Sequence, residues 1–485
     1  MTDALRKSLL RLETKSRELE PRAEARRRLF DDAAAYAEEF LEKLPDLPAF
    51  LETEDRGVGI LETPIGEEPR QIALLLDHLR RDVDRPGLNP ASAGHLGYIP
   101  GGGLYASSLG DYLAAVTNRY AGVFFASPGA VRMENMLLDW MSGLVGYPRE
   151  TAGGNLTSGG SIANLMGVVT ARDAHGIRAR DVERAVIYAT EQAHHSVTKA
   201  IRLAGLSDAV QRLVPLDNRY RMRADALERS IASDRAAGLL PFLVIASAGT
   251  TDTGVVDPIE HIAALSRKEN FWLHVDGAYG GFFILCDEGK RALGRLDGSD
   301  SLVMDPHKTL FLPYGSGAVL VRDRAKLLES HHYTANYMQD ALSARDELSP
   351  ADLSPELTKH FRGLRLWMPL LLHGLAPFRA ALEEKMLLAR YFHQRLSEHP
   401  GFEVGPYPDL SVVIFRYRPA SGDADAFNKK LVEAIHRDGR VFLSSTILDG
   451  RFTLRLAVVS FRVHLETIDL ALEILDHEVR RLEST

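Results

Sequence analysis

The chain has 485 residues, 45% of them hydrophobic and 26% charged, with a formal net charge of −8. That length is too great for one hydrophobic core, so roughly two or three domains are expected, and the acidic balance disfavours nucleic acid and anionic membranes as partners. No run of about 18 apolar residues is present, and the single cysteine, Cys286, cannot form an intrachain disulfide or a thiolate metal cluster, so no metal site is expected.

The chain opens with "MTDALRKSLLRLETKSRELE", which mixes both charge signs and has no apolar core of a secretory signal; a cytoplasmic location is the expectation. Leu29, Ala33, Tyr36, Ala37, Phe40, Leu41 and Leu44 recur at helical spacing, which predicts charged amphipathic helix. Pro45 and Pro48 break the pattern. Residues 1–90 therefore read as a helical arm packed on the main body or on a second subunit. Over 91–375, "AVIYAT", "FLVIASAG" and "FWLHVD" alternate with helical segments, the rhythm of a mostly parallel sheet covered on both faces. Ligands in such sheets bind beyond the carboxyl ends of the strands. Residues 376–485 read as a small α+β domain, in which "VFLSSTIL", a "DG" turn and "RFTLRLAVV" form a hairpin. Phe452, Leu454 and Leu456 alternate there with Thr453 and Arg455, which predicts one buried and one solvated face.

Several polar residues fall on the predicted ligand edge. In "NLTSGGSIANLMGVVTAR", Gly159 and Gly160 allow close backbone approach and Ser161 is placed as helix N-cap, a pattern that serves an anion or a plain capped helix. His194 follows the strand "AVIYAT", and Thr250 and Thr251 follow "FLVI"; a solvated ring and turn hydrogen bonding are their default roles. Asp276 ends "FWLHVD", where it either caps the next turn or pairs with a protonated heterocyclic nitrogen. Lys308 lies in the otherwise apolar or small stretch "SLVMDPHKTLFLPYGSGAVLV". It either snorkels to water or serves as a nucleophilic amine. Taken together, an anion cradle, a ring able to stack, a carboxylate and a lysine on one edge meet the needs of a lysine-linked pyridoxal phosphate (PLP): an anchored phosphate, a cationic pyridine nitrogen and an aldehyde held as an imine.

The stretches "TSGGSIANLMGVVTAR", "EQAHHSVTKA", "HVDGAYGGF" and "DPHKTLFLPYGSG" make the chain resemble the group II PLP-dependent amino-acid decarboxylases, the family of the aromatic-amino-acid and glutamate decarboxylases. The resemblance runs from about Tyr98 to the end and implies the type I PLP-dependent transferase fold: a large α/β domain with a mostly parallel seven-stranded sheet and a small C-terminal α+β domain. It implies that Lys308 carries the cofactor, Asp276 pairs with the pyridine nitrogen and His194 stacks on the ring. Gly160, Ser161 and His307 would hold the phosphate, with Thr251 and Ala278 lining the ring. Tyr337, with Tyr333 as its rival, would return the proton after carbon dioxide leaves. Tyr98 and Gly101, in "HLGYIPGGGLYASS", and Arg455 are the substrate-contact candidates, Arg455 being equally suited to a solvated face. The implied activity is decarboxylation of an L-amino acid, aromatic before acidic. Oxidative conversion to an aldehyde, transamination and a non-catalytic scaffold are the other readings. The resemblance further implies a homodimer in which residues around Tyr120 to Phe124 reach the partner's site.

Overall fold

The computed structural model describes residues 2–332 and 347–484. The helices Thr2–Ser16 and Ala23–Lys43 open the chain, and neither shows a buried side chain among its described residues. The second ends where Pro45 removes a helix donor. Strands β1 (Phe50–Leu51) and β2 (Gly87–Leu88) pair as a short antiparallel ladder behind it.

Seven strands make the central sheet: β3 (Gly153–Thr157), β4 (Ala185–Ala189), β5 (Val210–Leu213), β6 (Leu240–Ser247), β7 (Trp272–Asp276), β8 (Ser301–Met304) and β9 (Gly317–Val321). Their order is β3-β9-β8-β7-β6-β4-β5. Only β9 runs against its neighbours, so the sheet is mostly parallel, as expected. Every residue of β7 and β8 is buried, the mark of parallel strands covered on both faces. This topology brings the carboxyl ends of β3, β4, β6, β7 and β8 to one edge.

The C-terminal part builds a four-stranded antiparallel sheet from β10 (Phe402–Val404), β11 (Val412–Tyr417), β12 (Ser444–Leu448) and β13 (Arg451–Ala457), ordered β10-β11-β13-β12. Asp449 and Gly450 join β12 to β13 with φ of 51° and 72°, the left-handed pair that a two-residue hairpin turn demands. A separate hydrophobic cluster, including Phe392, Leu431, Leu456 and Ile468, fills this unit. The solvated face expected on β13 is a misreading: Thr453 and Arg455 are both buried. Their face of the strand looks onto the loop after β6, so the alternation divides two buried surfaces. Among the described residues, no helix is long and apolar enough to cross a membrane.

Candidate active site

One cavity of about 500 Å3 opens at the carboxyl edge of the central sheet. β3 runs into the turn 158–159 and then the helix Gly160–Ala174. Its N-cap is Gly159, whose φ of 150° lies in the region that favours glycine. Ser161 therefore occupies the first turn and not the N-cap expected of it. The first helical residue must also be small, because a Cβ on Gly160 would fall 2.9 Å from Asp305 Oδ2 and 3.2 Å from the Ala278 Cβ. The helix thus delivers its partial positive end to the cavity.

β8 supplies the lysine. After Met304, Asp305 is the N-cap of a single turn over Pro306–Thr309, which turns Lys308 back so that Nζ lies 3.3 Å from Asp305 Oδ2. The Gly160 N–H donates to the same oxygen at 3.1 Å, while Asp305 Oδ1 is buried with no partner among the described residues. His307 donates from Nδ1 to the Ser316 carbonyl at 2.6 Å. Its Nε2 is 3.7 Å from Asp305, and burial lowers its pKa.

At the end of β7, Asp276 is buried. Oδ1 accepts from the Ala278 N–H at 3.1 Å and Oδ2 from Asn164 Nδ2 at 2.9 Å. His194 caps the helix His195–Leu203 by accepting from the Ser196 N–H. Burial lowers its pKa too, which favours a neutral ring that can lie against an aromatic face.

Lys308, Asp276, His194, Gly160, Ser161, Thr251, Ala278 and His307 all line this cavity. Tyr98, Gly101 and Arg455 do not. Tyr98 is half exposed with φ of 49°. Gly101 packs on the backbone beneath the lysine, where a Cβ would meet the His307 carbonyl at 2.4 Å. Arg455 donates to the Asp252 carbonyl at 2.9 Å, to Ser444 Oγ at 2.7 Å and to the Thr251 carbonyl, so it ties the small sheet to the cavity rim. Ala121, Val123 and Phe124 are buried in their own chain, with the Gly122 carbonyl accepting from Ala351 and the Phe124 N–H donating to Ser349. Tyr333 and Tyr337 lie outside the described residues.

Sequence reasoning passed over Asn164, Ser196, His274 and Asp305. Periodicity held a usable signal: Asn164 lies three residues after Ser161 on one helix, and His274 two before Asp276 on one strand, spacings that share a face.

The donor set fits PLP. A helix N-terminus suits a phosphate, the Asp276 carboxylate suits a protonated pyridine nitrogen, and Lys308 is a primary amine lining the same cavity. A parallel sheet with this constellation at its carboxyl edge defines a PLP-dependent enzyme. Residues 65–418 match the family model described as the pyridoxal-dependent decarboxylase conserved domain. The chain belongs to that family of PLP-dependent carboxy-lyases. It is 34% identical over 406 residues to an aromatic-L-amino-acid decarboxylase of Bacillus atrophaeus, covering 83% of each chain. It is 28% identical to a phenylacetaldehyde synthase of Arabidopsis thaliana, covering 81% of this chain and 83% of the relative. The structure of Oryza sativa TDC with PLP and tryptamine superposes with a TM-score of 0.90 at 26% identity, covering 96% of this chain and 99% of that one.

Proposed function

We propose that the protein is a homodimeric decarboxylase that converts an aromatic L-amino acid to its amine and carbon dioxide. The observation that carries this reading is the meeting of Lys308, Asp276, His194 and the Gly160 helix N-terminus in one cavity. Bound PLP supplies the electron sink for the pair left by the departing carboxylate. In this reading Asp276 holds the positive charge of the pyridine nitrogen, because an ionised carboxylate favours the charged form of a neighbour. The Gly160 helix anchors the phosphate, and the neutral His194 ring covers one face and excludes water. Lys308 would hold the cofactor through its aldehyde, and Asp305, 3.3 Å from Lys308 Nζ, would pair with that amine whenever it is free and protonated. Tyr337, by the motif resemblance, returns the proton.

An aromatic substrate is favoured over an acidic one on charge. No arginine is among the described residues lining the cavity, and Lys308, its only lysine, is assigned to the cofactor. A second carboxylate would meet no further cation among those described lining residues. Non-oxidative chemistry is favoured by the presence of both Tyr337 and His194, while an aldehyde-forming relative keeps oxidative deamination as the second reading. A single buried cysteine suits a reducing cytoplasm.

The test mixes holoenzyme with a panel of aromatic and acidic amino acids and measures carbon dioxide, amine, aldehyde and peroxide. Carbon dioxide with equimolar amine from aromatic substrates is expected; stoichiometric aldehyde and peroxide would overturn the reaction, and turnover of aspartate or glutamate alone would overturn the substrate. Borohydride treatment of the holoenzyme should fix the cofactor to the peptide containing Lys308.

A further inference from the structure

Behind Asp276 runs a chain of buried side chains whose donors and acceptors can be assigned outward from the carboxylate. An ionised carboxylate only accepts, so Asn164 must turn its Nδ2 to Asp276 Oδ2, at 2.9 Å. The amide oxygen of Asn164 then faces His274 Nε2 at 2.8 Å, and that nitrogen must donate. His274 is fully buried, and burial holds its pKa well below the ordinary value, so the ring is neutral and Nδ1 accepts. The group facing Nδ1 is Ser301 Oγ at 2.7 Å, which must donate. Its oxygen in turn receives the indole N–H of Trp272 at 2.8 Å, a group that can only donate. Each link is thereby committed to one polarity.

The second N–H of Asn164 leaves the chain sideways. Nδ2 also donates to Ser196 Oγ at 3.0 Å, and Ser196 Oγ lies 2.8 Å from His194 Nδ1. That nitrogen already accepts from the Ser196 N–H, so the ring bears its proton on Nε2. A single amide therefore reaches both groups assigned to the cofactor ring, Asp276 directly and His194 through Ser196.

We propose that Asn164, held in one orientation by Trp272, Ser301 and His274, is the positioning residue of the cofactor site, aiming the Asp276 carboxylate with one N–H and setting the His194 ring through Ser196 with the other. Reversing the amide would bring its oxygen against the Asp276 carboxylate and break the chain as far as Trp272. The inference rests on the assignment of Asp276 to the pyridine nitrogen.

The experiment measures PLP dissociation from the holoenzyme and the visible band of the bound cofactor in Asn164→Asp, His274→Leu and His274→Gln, with Asp276→Asn as control. Asn164→Asp keeps the shape but replaces two donors by an acceptor. It should weaken PLP binding about ten- to a hundredfold, the value of one hydrogen bond to a charged group, and diminish the visible band. His274→Leu should act in the same direction, while His274→Gln, which can still donate to Asn164, should restore affinity and band. Wild-type affinity and spectrum in Asn164→Asp would overturn the proposal, as would equal losses in His274→Gln and His274→Leu, which would reduce the ring to packing. Should His274→Leu fail to fold, the isosteric Asn164→Asp decides alone. If Asp276→Asn leaves affinity and band unchanged, the assignment of Asp276 has failed and the positioning role falls with it.

Discussion

Gly167 shows how one missing atom can make room for a polar network. It lies in the helix 160–174, one turn beyond Asn164, and a Cβ there would stand 2.3 Å from His274 Cε1 and 2.5 Å from Nδ1. Alanine is the better helix former by about 1 kcal/mol, so on helix propensity alone Gly167→Ala should stabilise. Here the ring below is fully buried and bonded at both nitrogens, so it cannot step aside cheaply, and overpacking of a dense interior costs about 1–3 kcal/mol. The steric effect wins, and we expect Gly167→Ala to lower the urea midpoint; an unchanged or raised midpoint would contradict this placement of the ring. Gly167 was not legible as a functional position in the sequence, and the strand period placed His274 on the face of Asp276 without naming its partner. The bond from His274 to Asn164 joins residues 110 apart, and nothing local to either announces it. Lys308 and Asp276 were legible, because a charge in an apolar strand or at its end needs an explanation wherever the strand packs.

At the scale of elements, the parallel strands and their ligand edge could be read from apolar runs of strand length, since both faces of a parallel sheet are covered and the run is nearly unbroken. The hairpin after β12 could be read from its Asp-Gly turn. What could not be read was the second buried face of β13, because alternation reports polarity and not what lies opposite. Arg455 is the outcome: a guanidinium in the interior, its pKa lowered by burial, with donors spent on the carbonyls of Thr251 and Asp252 and on Ser444. The same rim is held by Asp409, which accepts from the Val256 N–H at 3.1 Å, and by Tyr279, whose hydroxyl meets Ser411 at 2.7 Å. The small sheet thus braces the loop that carries Thr251 into the cavity. Arg455→Leu should leave those carbonyls unpaired at a cost of about 1–3 kcal/mol each before relaxation, lower the melting temperature and speed cofactor loss. Arg455→Lys should recover only part of this, because an ammonium cannot reproduce the planar fork. A lysine variant equal to wild type in both measurements would contradict the bracing role.

For the whole molecule, the helix Tyr105–Thr117 is the surface that needs a partner. Tyr105, Leu109, Tyr112, Leu113 and Val116 are each between 40% and 65% exposed, and their spacing places them on one face of the helix. Leu371 and Leu372 of the packed helix Gly363–His373 and Phe30 of the arm, which meets Tyr112 at 5.5 Å, are also exposed. So are Leu5, Leu9 and Leu12 of the opening helix. Single exposed apolar residues need no explanation, whereas a run of this kind marks an interaction surface, and the proposed homodimer would cover it. In a two-fold interface each substitution appears on both subunits. Leu109→Asp would therefore remove about 2 kcal/mol of apolar burial twice and set two carboxylates into a contact that excludes water, where an unpaired charge is strongly disfavoured. Because Leu109 is already exposed in the single chain, its own fold has little to lose. Sedimentation velocity at micromolar concentration should show wild type as a dimer and Leu109→Asp as a folded monomer. A variant that stays dimeric with undiminished affinity would place the subunit contact on some other face and leave the stripe on this helix without an occupant.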